Sequence, residues 1–291
     1  MSPALVLALR RLTVPARTIR GAILLLEPIR RYFTRVGGSY TVRYDRDLLI
    51  DLSLDQHMES QIFWYGAYSR DVLMLLDRLL RPGMTVVDAG ANIGEIALAA
   101  GARVGASGCV LAFEPQPDLT ERLRRHVAAN QLQTTIRVSE LGLSDRSATA
   151  TLFASAGAYA DGSHHNGLAS LYQSACRGQP VSSIRLVTLD SFLETAPVDH
   201  LDLIKVDVEG AELAVLQGAR GTLGRFRPAL IVEVQQESSL AAGYDQRNIL
   251  DFLAPFGYQF FTILRGGRLR PLTAESLQPF QNVLCRVPAS A

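Results

Sequence analysis

The chain has 291 residues, 48% of them hydrophobic and 20% charged, with Lys+Arg at 29, Asp+Glu at 28 and a formal charge of +1. That is enough for one large or two small domains with a proper core and excludes a disordered chain, while the near-zero charge excludes bulk electrostatic binding of nucleic acid. Of the 29 basic residues, 28 are arginine and a single one, Lys205, is lysine.

Residues 1–36 hold Arg10, Arg11, Arg17, Arg20, Arg30, Arg31 and Arg35 against one acid, Glu27: a net +6 that leaves −5 on the rest of the chain. Leu5, Leu9 and Leu12, then Ile19, Ile23, Leu26 and Ile29, recur at helical spacing, so this segment reads as a basic amphipathic extension broken near Pro15 and Pro28. Such helices either pack on the domain or a partner protein, or attach to an anionic membrane surface. The start lacks a basic n-region and a cleavage site, and no apolar run approaches the ~18–20 residues of a membrane span. Cys109, Cys176 and Cys285 show neither Cys-x-x-Cys nor zinc spacing, which favours a reducing compartment. The expectation is a cytoplasmic protein, membrane-associated at most peripherally.

Residues 37–68 read as a hairpin turning at Asp45-Arg46-Asp47, followed by a linker with the aromatics Phe63, Trp64, Tyr65 and Tyr68, which serve packing or cap a pocket. From residue 69 to 291 the pattern is that of one domain. A helix, SRDVLMLLDRLLRPG, precedes short Val/Ile/Leu-rich runs: TVVDA, CVLAFE, TIRVSE, LDLIKVDV, ALIVEV and YQFFTIL. Helical stretches at 94–103, 117–130, 210–224 and 246–254 separate most of them. This alternation predicts an α/β fold with a doubly wound, mostly parallel sheet. A last run, NVLCRV, is expected as an antiparallel hairpin partner of YQFFTIL. Between two extended arms, a Gly/Ser/Ala-rich insertion at 157–180 has the length of a functional lid.

The first strand ends VVDAGANIG, so Asp88, Gly90, Asn92 and Gly94 lie in a strand-to-helix turn where backbone N–H groups face a ligand. Glu114 ends the second strand, 20 residues after Gly94, where an acid accepts both ribose hydroxyls, and Asp145 follows the third strand in GLSD. A dinucleotide fingerprint needs glycine where Asn92 stands, and Asp88 would repel a diphosphate while welcoming an ammonium. S-adenosylmethionine, with an ammonium, a ribose and no phosphate, matches that charge pattern better than NAD.

These residues, with LAFEPQP, LGLSD, VTLD, LIKVDVEGAELAVLQGA and RPALIVEV, resemble the FkbM-type methyltransferases over roughly residues 60–265. The resemblance implies the class I methyltransferase fold, Rossmann-like, with a seven-stranded sheet whose last strand is antiparallel. It implies methyl transfer from S-adenosylmethionine to a hydroxyl of a sugar, polyketide or related small metabolite. By position it assigns Asp88, Gly90, Asn92 and Gly94 to the cofactor loop, Glu114 to the ribose and Asp145 to the adenine side.

In LDLIKVDVEGAE, Lys205 and Asp207 stand two apart and so face the same way, with Glu209 at the strand end and Glu233 ending the neighbouring strand. They read either as a structural ion pair or as an acceptor-binding cluster in which Asp207, oriented by Lys205, takes the acceptor proton. The sequence permits, without requiring, a divalent metal on Asp207, Glu209 and Glu233. His164 and His165, in the insertion, lack a third ligand at fixed spacing, and His57, His126 and His200 are expected at the surface. The competing readings are an NAD(P)-dependent oxidoreductase and a non-catalytic nucleoside-binding module.

Overall fold

Five runs of Val, Ile and Leu become parallel neighbours in the central sheet of the computed structural model, which describes residues 3–16, 22–155, 169–172 and 177–288. The chain divides into two compact units at Ser69/Arg70.

The first unit holds α1 (Pro3–Ala16), α2 (Ala22–Val36), β1 (Ser39–Tyr44), β2 (Leu48–Ser53) and α3 (His57–Tyr65). The hairpin of β1 and β2 turns through Arg46 and Asp47, whose φ values of +51° and +66° are the left-handed pair that matches strand twist. Alternation buries Val42, Tyr44, Leu48, Ile50 and Leu52. Phe63 and Trp64 are also buried, with the Phe33 ring 5.1 Å from Trp64 and the Tyr40 ring 5.4 Å from Phe63. These aromatics therefore pack the N-terminal elements against one another. Tyr65 donates its hydroxyl to Glu27, whose carboxyl the Arg30 guanidinium holds down at about 2.

The second unit runs α4 (Arg70–Leu79), β3 (Thr85–Ala89), α5 (Glu95–Val104), β4 (Cys109–Phe113), α6 (Pro117–Ala129), β5 (Ile136–Ser139), β6 (Gly142–Leu143), β7 (Ala148–Ser155) and β8 (Arg177–Val187). It continues with α7 (Leu189–Thr195), β9 (Leu203–Val206), α8 (Glu212–Gln217), α9 (Arg220–Phe226), β10 (Ala229–Gln235), α10 (Gln236–Ala241), α11 (Arg247–Leu253), β11 (Gln259–Leu264), β12 (Arg268–Pro271) and β13 (Phe280–Arg286).

The central sheet has eight strands in the order β12-β11-β13-β10-β9-β3-β4-β5, not seven. The eighth, β12, is a short, mostly exposed edge strand that turns back from β11 at Gly266-Gly267, and its residues RLRP carry no apolar alternation. NVLCRV does pair antiparallel with YQFFTIL as expected, but the two are not joined as a hairpin. That hairpin belongs to β11 and β12, while β13 inserts between β10 and β11, antiparallel to both. The helix expected over 210–224 is two, α8 and α9, broken at Gly218, where a Cβ would meet the Ser144 carbonyl oxygen at 1.9 Å. A second, three-stranded sheet, β6-β8-β7, accommodates the two extended arms.

The chain moves outward from β3 to β4 and β5, then returns to β9 and β10 on the other side. Right-handed crossovers place the helices of the two halves on opposite faces, so the winding reverses between β3 and β9. On one face Val87, Ala89, Ile204, Val206, Val232 and Val234 join a single apolar core with Val215, Leu216, Ile249 and Leu253. Strand alternation turns their neighbours Asp88, Lys205 and Glu233 to the other face.

Candidate active site

The register of the parallel pairs sets Asp88 of β3 opposite Lys205 of β9, and Lys205 opposite Ile231 of β10. Continuing two residues past the second pairing brings Asp207 level with Glu233. Charged side chains from three strands thus meet at the carboxyl ends of β3, β9 and β10, beside the reversal point where ligands bind in doubly wound sheets.

Asp88 is fully buried, and among the described residues neither carboxylate oxygen makes a close hydrogen bond, although the Ala97 N–H and the Lys205 ammonium lie near enough to favour its charge. Burial pushes its carboxyl up to about 6, against the pull of the Lys205 ammonium at 4.0 Å. The following turn is built from left-handed residues, Gly90 (φ +81°), Asn92 (+50°) and Gly94 (+102°). The structure supplies a packing reason for both glycines. A Cβ on Gly90 would meet the Asp207 carbonyl oxygen at 1.8 Å, and one on Gly94 would meet Leu123 at 2.4 Å. Glycine at Gly90 therefore lets the end of β3 lie against the chain leaving β9.

Glu114, just beyond β4, is 4% exposed and accepts the backbone N–H of Asn92 at 2.9 Å and of Gln116 at 3.0 Å, one on each oxygen. Burial raises its carboxyl to about 7, and the two N–H groups oppose that rise. Each oxygen keeps a lone pair for a further donor. The glycine turn and Glu114 are thereby one hydrogen-bonded unit. His126 of α6 anchors it from below, its Nδ1 lying 2.8 Å from the Ile93 carbonyl oxygen. At 2% exposure His126 is a core residue, correcting the surface placement expected from sequence. His200 is exposed, and His57 is partly buried beside Gln61.

At the other half of the site, Lys205 Nζ donates to Asp207 Oδ2 at 2.8 Å and is 6% exposed. Burial would lower the ammonium's pKa, but the Asp207 and Asp88 carboxylates outweigh it and raise it. Asp207, Glu209 and Glu233 each offer a carboxylate oxygen within 4.8 Å of the others. Burial, then the charges of Asp207, Glu209 and Glu212, push Glu233 well above the usual carboxylate range.

Glu209 sits at φ +55°, a left-handed turn on a non-glycine residue. Two groups missed by sequence reasoning hold that turn. Ser170, 1% exposed, donates its hydroxyl to the Glu209 carbonyl at 2.7 Å. Glu212 accepts the N–H groups of Val208 and Gly210 on one oxygen and the Tyr244 hydroxyl on the other. Ser170 lies in the Gly/Ser/Ala-rich insertion, and its target is 39 positions away, beyond the reach of any local sequence signal.

Asp145 follows β6, beside Gly218, bonded to Ser144 and Arg146, and its charge acts on Tyr172. His164, His165 and Cys176 lie outside the described residues.

The fold and its charged crevice define a Rossmann-like α/β protein with the class I methyltransferase sheet, extended at one edge by β12. Residues 88–260 match the model of the Methyltransferase FkbM domain, and the chain belongs to that family. It is 26% identical over 239 residues to the AMB antimetabolite synthetase AmbE of Pseudomonas aeruginosa, covering 72% of this chain but 11% of that protein. It is 28% identical to the hexuronic acid methyltransferase AglP of Haloferax volcanii, covering 64% of this chain and 67% of AglP. The methyltransferase sdnD of Sordaria araneosa is 30% identical over 53% of this chain and 68% of its own length. Among solved structures, the methyltransferase FkbM of Methylobacillus flagellatus superposes with a TM-score of 0.43 at 16% identity, covering 91% of this chain and 60% of that one.

Proposed function

We propose that the chain is an S-adenosylmethionine-dependent methyltransferase acting on a hydroxyl of a small metabolite of the sugar or polyketide class. The observation that carries this reading is the Asp88 carboxylate, fully buried with neither oxygen in a close hydrogen bond among the described residues. A buried carboxylate whose nearest cation is 4.0 Å away and committed elsewhere fits a ligand that brings an ammonium and disfavours one that brings a diphosphate. Glu114, with a lone pair left on each oxygen, suits ribose hydroxyls. Gly90, Asn92 and Gly94 shape the turn between these two acids, and Asp145 is assigned to the adenine side.

When bound, S-adenosylmethionine supplies a methyl group already activated by its sulfonium. The chain's task is to hold an acceptor lone pair in line and to receive its proton. Asp207 is the base: Lys205 fixes Oδ2, and among the described residues Oδ1 has no hydrogen-bond partner. Glu209 and Glu233 border the same edge and orient acceptor hydroxyls. The similarity to AglP, a hexuronic acid methyltransferase, supports the sugar class.

Titration calorimetry with S-adenosylmethionine and with NAD, followed by assay of S-adenosylhomocysteine release over a panel of uronic acids, sugars and polyketides, tests the reading. Binding of NAD alone would indicate the oxidoreductase alternative, and donor binding without release on any acceptor would indicate the binding module. The 4.8 Å grouping of Asp207, Glu209 and Glu233 supports one variant, a divalent cation acidifying the hydroxyl. Turnover abolished by a chelator and restored by magnesium or manganese would establish that variant in place of a free Asp207 base.

A further inference from the structure

A helix whose apolar side faces water needs something to cover it, and α1 is such a helix. Val6 and Thr13 are buried at 2%, whereas Leu5 is 48% exposed and Leu12 is 70% exposed. Leu5, Ala8 and Leu12, at i, i+3 and i+7, form one exposed face turned away from Val6 and Thr13, with exposed Arg11 at its border. In α2 the exposed residues Pro28, Arg31, Tyr32, Arg35 and Val36 follow the same spacing. Phe33 and Thr34 turn inward there, while Tyr32 is 58% and Val36 59% exposed. Both helices therefore present aliphatic or aromatic groups interleaved with arginine.

Charge decides among possible occupants. Residues 1–36 carry a net +6. A second copy of the chain would bring the same positive face, and like charges repel. An anionic lipid surface attracts each arginine near it and accepts apolar side chains at the headgroup boundary. No described helix is long and apolar enough to cross a membrane, so the geometry is that of helices lying on the surface.

We propose that α1 and α2 dock on an anionic bilayer surface, with Leu5, Leu12, Tyr32 and Val36 entering the headgroup boundary and Arg11 and Arg35 facing lipid phosphates. This inference is independent of the methyl-transfer reading.

The test is cosedimentation of the full chain with vesicles of phosphatidylcholine alone and with about 30% phosphatidylglycerol, at low and high salt. The wild type binds the anionic vesicles, loses them at high salt and ignores the neutral ones. Arg11→Gln with Arg35→Gln weakens partitioning about 25-fold, roughly fivefold for each charge. Leu5→Ser with Leu12→Ser abolishes binding. All four positions are exposed, and unchanged circular dichroism and thermal midpoint establish that the variants fold. No binding to anionic vesicles, equal binding to neutral ones, or wild-type binding by both variants overturns the proposal. So does a dimer in light scattering that Leu5→Ser with Leu12→Ser dissociates while vesicles are ignored, which assigns the face to a second copy.

Discussion

The Lys205 ammonium stands 4.0 Å from the Asp88 carboxylate, on neighbouring parallel strands, yet gives its short hydrogen bond to Asp207 at 2.8 Å. One cation thus faces two carboxylates, Asp88 before the glycine turn and Asp207 just beyond β9, for which cofactor and acceptor roles are proposed. Because Lys205 is committed to Asp207, Asp88 keeps open lone pairs.

Removing either member of that pair separates chemistry from binding. Asp207→Asn is expected to lower turnover by about 10²–10⁴, the usual share of a general base, with the Kd for S-adenosylmethionine little changed. Lys205→Met leaves buried carboxylates without their cation and is expected to destabilise the fold by about 3–5 kcal/mol as well. Stopped assays, calorimetry and thermal melts read the three quantities. Near-normal turnover in both folded variants would remove Asp207 as the base.

The cofactor acids predict a pH dependence of a particular sign. Asp88 rises from 3.8 to about 6 and Glu114 from 4.5 to about 7, each chiefly through burial. The nearby charges are Lys205 and Asp207 for Asp88, and Asp88 and Lys205 for Glu114. The native state therefore holds more protons than the unfolded state between those limits, and stability falls as pH rises through them. The ligand-free thermal midpoint should drop between about pH 4 and 7. Donor affinity should climb up to about pH 6, as Asp88 ionises to meet an ammonium, by up to about tenfold per pH unit, and level off above it. A flat midpoint and a flat Kd would contradict both assignments.

Two glycine substitutions should act in opposite directions. Gly90→Ala drives a Cβ to within 1.8 Å of the Asp207 carbonyl oxygen at a φ of +81°, so both halves of the site shift. Loss of several kcal/mol, or failure to fold, is expected. Gly224 lies in helix α9 with nothing within 4 Å of its added Cβ, and Gly224→Ala should stabilise by about 0.5–1 kcal/mol. Urea unfolding of the two variants makes the comparison.

Ser170→Ala removes the hydroxyl that holds the Glu209 carbonyl. As a positioning residue, Ser170 should affect acceptor KM and kcat while leaving the donor Kd and the pH profile of donor binding alone. Ser170→Thr, which keeps the hydroxyl, should restore part of the loss. A parallel fall in donor affinity would mean that the loop supports the fold as a whole.

The parallel strands were legible because burial on both faces demands unbroken Val/Ile/Leu runs, and TVVDA marks β3 residue for residue. Lys205, Asp207 and Glu233 were legible as charges interrupting such runs. What escaped reading depends on contacts between distant positions. His126 is buried because its ring meets the Ile93 carbonyl, 33 residues earlier. The break at Gly218 follows from the Ser144 carbonyl, and β12 is an exposed edge without apolar alternation. Asp145 follows β6, whose pairing with β8 in a second sheet is likewise a contact between distant positions.

The placement of β13 between β10 and β11 has a consequence for biosynthesis. On a ribosome β10 and β11 emerge first, and until residues 280–286 follow, each keeps an open edge toward the gap that β13 fills. Such edges recruit foreign strands. While β13 is still in the exit tunnel the nascent sheet therefore has to be shielded, and release of that strand completes the join between the β11–β12 hairpin and the strands that carry Asp88, Lys205 and Glu233.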